Sequence, residues 1–121
     1  MRIIDISAKH FTLDAKIKLY LEEKVQKLID YIPRHARKSA TASTQVTKKN
    51  ARGGDQLECE IILNLPNQTL VAKESRDGVL AAIDGAEEKM RSQIRKYKAE
   101  IIREREKGGI LGQLKRAFKR R

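Results

Sequence analysis

The feature that most constrains the fold is a change of hydrophobic period partway along the chain. Between residues 57 and 74, apolar and polar side chains alternate, which is typical of strands with one buried face. The sequence Leu65-Pro66-Asn67-Gln68 interrupts this alternation and predicts a turn, so the two strands should form an antiparallel hairpin. From Asp77 to about Glu106, apolar residues instead recur every three or four positions, which predicts an amphipathic helix.

The chain before residue 57 predicts a strand, a helix and a weaker strand. Arg2–Ser7 should form the first strand, with Ile4 and Ile6 on one face and Ile3 and Asp5 on the other. An amphipathic pattern follows, for which we expect Thr12 as the N-cap and Pro33 as the end. Residues 36–47 are rich in small and β-branched side chains and predict a strand, whereas Lys48–Gln56 contains two glycines and predicts a mobile hairpin loop.

The predicted order of elements is therefore β-α-β-β-β-α. This order indicates an α+β fold in which two helices pack on one face of a four-stranded sheet. Gly108-Gly109 should end the second helix, which divides the chain into a domain of residues 1–107 and a basic tail of residues 108–121. The tail has apolar residues at helical spacing and is expected to be either amphipathic or disordered.

The charge of the chain points to a polyanionic partner. Its 27 Lys and Arg residues exceed its 16 Asp and Glu residues by 11, and the excess lies in residues 33–52 and 107–121, which hold six cations each and no acid. The single cysteine, Cys59, fits a reducing compartment. Since no apolar run approaches the ~20 residues that span a bilayer, we expect a cytoplasmic protein.

Two groups of cations are candidate contacts for RNA phosphates. The second helix carries Lys89, Arg91, Arg95, Lys96 and Lys98, and the first helix and the segment after it carry Lys24, Lys27, Arg34, Arg37 and Lys38. Parallel helices on one sheet face would let both groups frame a single positive groove. The alternatives are that the second group complements the helix dipole, that Lys24 snorkels to water, and that the loop cations serve solubility.

Patterns of catalytic residues are absent from the sequence. The two histidines, His10 and His35, show no metal-ligand spacing, and Cys59 alternates with apolar residues as a buried structural thiol would. We therefore expect no enzyme activity, no cofactor and no small-molecule substrate. Aromatic residues make up only 4% of the chain, which favours recognition of RNA shape and backbone over base stacking.

Three segments together resemble the ribosome hibernation promoting factor and ribosome-associated inhibitor A family. They are Lys24-Val-Gln-Lys-Leu28, Ala81-Ala-Ile-Asp84 and Lys89-Met-Arg-Ser-Gln-Ile-Arg-Lys-Tyr-Lys98. The resemblance covers about residues 1–101. It implies a fold similar to a double-stranded RNA-binding domain and binding in the mRNA and tRNA channel of the small ribosomal subunit. The ribosome would be held idle in starvation or stationary phase.

The resemblance also assigns positions to that interface. It carries over Lys24, Lys27, Lys89, Lys96 and Lys98, whereas the other five candidate cations rest on local charge alone. Long members of the family have a further dimerising domain, and the tail after Lys107 is too short for one, so we expect no autonomous dimerisation. Two alternatives remain open: a general structured-RNA-binding module or RNA chaperone, and a less favoured membrane-surface protein acting through the tail.

Overall fold

A computed structural model describes the backbone of residues 1–119 and the side chains of residues 1–50 and 52–105. Four strands, two long helices and two short helical turns make up these residues. They are β1 (Arg2–Lys9), α1 (Ala15–Lys27), a 3₁₀ turn (Leu28–Tyr31), α2 (Arg34–Arg37), β2 (Thr41–Ala51), β3 (Gly54–Leu65), β4 (Gln68–Arg76) and α3 (Val79–Lys119).

The strands form one sheet in the order β1-β2-β3-β4. The pair β1–β2 is parallel, as expected when a helix connects two strands, and the other two pairs are antiparallel. One hydrophobic core joins a single face of the sheet to α1 and α3, which confirms the mixed fold and the predicted β3–β4 hairpin. Its buried side chains include Leu21, Val25, Ala42, Val46, Cys59, Ile61, Leu63, Leu70, Ala72, Ile83, Met90 and Ile94.

The first helix is shorter than the sequence predicts at both ends. Its N-cap is Asp14, whose carboxylate accepts a hydrogen bond of 2.8 Å from the Ile17 amide, so the assignment of the cap to Thr12 is wrong. The helix ends at Lys27, and the chain tightens into the 3₁₀ turn before Pro33. The short α2 then occupies part of the segment predicted as a strand, and β2 begins only at Thr41.

An irregularity in β1 changes which of its residues face the core. The register with β2 shifts between Ile3 and Asp5, which leaves Ile4 as the extra residue of a bulge. Ile3 and Ile6 consequently both pack against the core, whereas Ile4 is 53% exposed. The predicted pairing of Ile4 with Ile6 on one face is wrong because strict alternation does not survive a bulge.

The predicted loop at Lys48–Gln56 is mostly strand. β2 and β3 remain paired out to Ala51 and Gly54, so that only Arg52 and Gly53 form the turn. Cross-strand ion pairs hold the two strands together, with 3.3 Å between Lys48 Nζ and Asp55 Oδ2. Gly54 has φ +114°, a backbone conformation that only glycine adopts readily.

The second long helix, α3, packs across β3 and β4 and beside α1. It continues through Gly108-Gly109 to Lys119, so the predicted helix end at the two glycines is wrong. The division into a domain and a tail stays a prediction, since the tail's side chains lie outside the described residues. No helix in the described part of the chain is long and apolar enough to cross a membrane.

Candidate nucleic-acid interface

The two long helices run side by side in the same direction, and three contacts fix their alignment. The Tyr20 hydroxyl donates a hydrogen bond to Asp84, and Lys24 Nζ lies 3.4 Å from the same carboxylate. Further along, the Arg91 guanidinium lies 5.8 Å from the centre of the Tyr31 ring. Lys24 contacts Asp84, and Tyr31 contacts Arg91. Each partner in the second contact is thus seven residues further along its own chain segment, as parallel helices require.

The floor of the groove between these helices carries both signs of charge. Lys24 lies over the Tyr20 ring at 5.6 Å and is paired with Asp84, so its ammonium group does not simply snorkel into water. Partial desolvation opposes the charged form of Lys24, but the combined attraction of Asp84, Tyr20 and Glu87 is larger and raises the pKa of the ammonium group. Asp84 also raises the pKa of Tyr20 by accepting its hydrogen bond. The expected single positive groove is therefore partly neutralised here.

The positive charge of Arg91 is also partly compensated by a carboxylate of the same fold. Its Nε lies 3.0 Å from Oε1 of Glu87, a carboxylate only 7% exposed, in an ion pair without hydrogen-bond alignment. The guanidinium is itself half-buried beside Tyr31. Its charge is thus partly compensated within the fold, while its side chain remains 36% exposed.

Lys89 lies on the opposite flank of α3, where it joins the helix to the edge of the sheet. Its ammonium group donates a hydrogen bond of 2.9 Å to the Lys73 carbonyl and lies 2.9 Å from Glu74 Oε2. One turn later, the Gln93 amide donates to the Val71 carbonyl at 2.6 Å. These bonds satisfy outward-facing carbonyls of the edge strand β4, which gives Lys89 a structural role that the sequence did not predict.

Arg37 also has structural bonds. Its Nε donates to the Ile32 carbonyl at 2.9 Å and a terminal nitrogen donates to the Asp30 carbonyl at 3.4 Å. These carbonyls belong to the 3₁₀ turn and the residue after it, where a helical end leaves acceptors unsatisfied. The role of Arg37 as an RNA contact stays a prediction.

The six remaining candidates make no ion pair within 4.0 Å to the described side chains. All are exposed except Lys98, which is half-buried, and Arg95 makes a side-chain hydrogen bond of 3.2 Å to Ser92. They are Lys27, Arg34, Lys38, Arg95, Lys96 and Lys98.

Five of these cations gather at one end of the molecule, and Lys96 lies at the same level of α3 but on the flank that carries Lys89. The N-terminal ammonium of Met1 bonds to the Arg37 carbonyl, which places α2 where β1 and β2 begin. The Tyr97 hydroxyl lies 3.4 Å from the Pro66 carbonyl, which places the middle of α3 at the same end of the sheet. We call this set the basic end: Lys27, Arg34, Lys38, Arg95 and Lys98.

The described residues offer neither a metal-binding cluster nor an accessible thiol. They contain no group of three His, Cys, Asp or Glu side chains that could hold a metal ion. Cys59 is fully buried in β3, as predicted, and burial raises the pKa of its thiol to about 12. A thiol that is both protonated and inaccessible is inert as a nucleophile.

Sequence reasoning missed the partners that fix the cations. Tyr20 and Tyr31 are not predicted as partners, although each phenol brings a polar group and a ring face. Glu74 alternates with apolar residues and lies only 12% exposed beneath α3. A charged residue at a core-facing strand position was the available signal, because such a group needs a partner.

The sequence profile of one family, described as "Sigma 54 modulation protein / S30EA ribosomal protein", matches residues 4–102. The chain is 27% identical over 108 residues to a ribosome hibernation promotion factor of Deinococcus radiodurans, covering 89% of this chain and 55% of that protein. It is 31% identical over 99 residues to the protein of that name in Staphylococcus aureus, covering 82% and 50%. The chain thus spans about half the length of the curated relatives it matches.

Solved structures show the same fold. The N-terminal domain of Thermus thermophilus Protein Y superposes with a TM-score of 0.66 at 22% identity, covering 80% of this chain and 99% of that one. A ribosomal subunit interface protein from Coxiella burnetii gives a TM-score of 0.66 at 18% identity, covering 82% and 99%. At these identities the likeness concerns the fold alone.

Proposed function

Because the chain belongs to the Sigma 54 modulation protein / S30EA ribosomal protein family, we propose that it is a ribosome hibernation factor acting on the small ribosomal subunit. It occupies the channel that mRNA and tRNA use and inhibits translation by steric exclusion, without catalysis. The names of its relatives, which are hibernation promotion factors, support the ribosome as its partner. The helical face would be the RNA-binding face, as in a double-stranded RNA-binding domain.

The observation that carries this proposal is the basic end. Its five cations come from α1, α3, and α2 with the residue after it, and they make no ion pair with other described side chains, so their charge is available to phosphates. The cations nearer the centre of the groove, Lys24 and Arg91, are paired with Asp84 and Glu87. RNA contact at the basic end therefore releases counterions without first breaking an internal ion pair.

Lys89 and Arg37 act differently in this proposal. Lys89 tethers α3 to β4 and Arg37 closes the 3₁₀ turn, so each positions a helix that carries free cations. Lys96 is exposed on the flank of α3 that Lys89 occupies and adds charge beside the basic end. Changes at Lys89 and Arg37 thus reduce binding mainly by loosening the surface.

The test compares two variants matched in charge. The first carries Lys27→Glu, Arg95→Glu and Lys98→Glu at the basic end. The control carries Lys9→Glu, Lys16→Glu and Lys18→Glu, three exposed positions on β1 and the start of α1. Both variants lose six units of positive charge, so a difference between them reports position rather than net charge.

Sedimentation with small subunits, large subunits and an RNA duplex of arbitrary sequence provides the measurement. We expect preferential binding to small subunits, lost in the basic-end variant and retained in the control. The slope of log affinity against log salt should also fall by about 2 to 3 in the basic-end variant. Equal affinity for both subunits and the duplex would instead support a general RNA-binding module. An equal loss of small-subunit binding in both variants would refute the basic end as the binding surface.

A further inference from the structure

The two edges of the sheet differ in whether side chains cover their backbone groups. Side chains of α3 cover the β4 edge, where Lys89 and Gln93 donate hydrogen bonds to the Lys73 and Val71 carbonyls. On the outer side of β1, no strand pairs with it and no side chain donates to its carbonyls, among the residues that the structure describes. An uncovered edge presents backbone donors and acceptors to which an extended chain can add.

A cleft runs along this open edge, between β1 and α1. Its volume is about 480 Å³, and its apolar lining comes from Ile3, Ile4 and Ile6. The β-bulge turns Ile4 outwards, where it is 53% exposed. A large apolar side chain beside unpaired backbone is the arrangement found where one chain adds a strand to another's sheet.

The polar lining of the cleft is acidic. Asp5, Glu22 and Glu23 line it together with a single cation, Lys18. None of these three carboxylates has an ion-pair partner within 4.0 Å in the described part of the chain, unlike Asp84 in the helix groove. In a chain with a net charge of +11, this is a local excess of free negative charge on the side of α1 that faces away from α3.

We propose that the β1 edge binds an extended, Lys- and Arg-rich segment of another protein as an added strand. Backbone hydrogen bonds to β1 provide affinity, an apolar side chain of the segment covers Ile4, and its cations pair with Asp5, Glu22 and Glu23. The same carboxylates repel phosphate, so this side of the molecule is selective for basic protein over RNA. This partner is additional to the proposed ribosomal RNA contact.

The first experiment uses the protein alone, so that its outcome is independent of ribosome binding. A fluorescein-labelled ten-residue peptide that alternates Lys or Arg with Val is titrated by fluorescence anisotropy. We expect Glu22→Lys with Glu23→Lys to weaken binding about tenfold, since two attractive contacts become repulsive. The matched control is Glu88→Lys with Glu100→Lys, two exposed acids of α3 outside the cleft, which should leave the affinity unchanged.

A second experiment tests strand addition itself. A peptide with N-methyl groups on alternate residues lacks the backbone donors of one edge and should bind about tenfold more weakly than the unmodified peptide. Equal affinity for the two peptides, or equal effects of the cleft and control variants, would overturn the proposal. A dimer that forms without peptide and is lost in Ile4→Lys would also overturn it, by assigning the edge to a second copy.

Discussion

The close packing of α3 against the side chain of Glu74 can be tested by replacing Gly85 with alanine. A Cβ atom at Gly85 would lie 2.5 Å from Glu74 Cγ and 3.3 Å from its Cβ and Cδ. The Cγ atom lies in the middle of the side chain, whose carboxylate is held by Lys89 and Arg76. Glu74 must therefore leave its position or push α3 away from β4.

Opposing contributions set the size of this effect. Alanine in place of glycine within a helix stabilises by about 1 kcal/mol. Overpacking costs about 1 to 3 kcal/mol, and loss of the ion pair of the mostly buried Glu74 carboxylate with the half-exposed Lys89 adds about 1 kcal/mol. We expect Gly85→Ala to lower the free energy of unfolding by about 1 kcal/mol in the native background.

The decisive comparison is the same substitution in a Glu74→Ala background. There the Cγ atom is gone, and Gly85→Ala should raise the free energy of unfolding by about 1 kcal/mol, which reverses its sign. Urea unfolding of the four proteins in this double-mutant cycle measures the coupling, expected to be about 2 kcal/mol. An equal effect of Gly85→Ala in both backgrounds would refute the seating of α3 on Glu74.

Three further predictions follow from single side chains. The hydrogen bond from Lys49 lowers the pKa of Glu58 below its ordinary 4.5. The ionised Glu58 therefore stabilises the fold fully above pH 4.5, and this contribution is lost as the pH falls through the lowered pKa of the folded protein. The difference in unfolding free energy between the native protein and Glu58→Gln should accordingly shrink below pH 4.5 in urea titrations, and a constant difference would contradict this ion pair. The thiol of Cys59 should resist alkylation at pH 8 in the folded protein and react rapidly in denaturant; rapid reaction of the native protein would disprove its burial. Arg37→Ala should lower the unfolding free energy by about 1 to 2 kcal/mol in urea, while Arg34→Ala, which removes no such bonds, changes it little; equal effects would refute the role of Arg37 in the 3₁₀ turn.

Local patterns in the sequence predict most of the fold. The alternation in residues 57–74 predicts β3, β4 and their hairpin, and the apolar stripe after Asp77 predicts the start and the buried face of α3. Both signals are strong because one face of each element is buried in the same core. The bulge at Ile4 and the short α2 are not predicted, since each depends on contacts with distant residues.

The sequence predicts which cations belong to the candidate site better than it predicts their contacts. Lys89 and Arg91 are two residues apart on α3 and lie on opposite flanks of it, as the geometry of a helix requires. The sequence did not show that Lys24 meets Asp84, sixty residues later, or that Lys89 is bonded to the backbone of β4. Pairing across the tertiary structure decides which cations keep a free charge, and periodicity along one element carries no information about that pairing.

The proposed function requires that the protein and the mRNA and tRNA compete for one channel of the small subunit. Small subunits loaded with the labelled protein can be sedimented with increasing mRNA and tRNA at constant salt, with yeast bulk RNA as a control competitor of equal charge. We expect mRNA and tRNA together to release the protein, while the control RNA leaves it bound. Retention of the protein on subunits that carry both mRNA and tRNA would contradict steric exclusion.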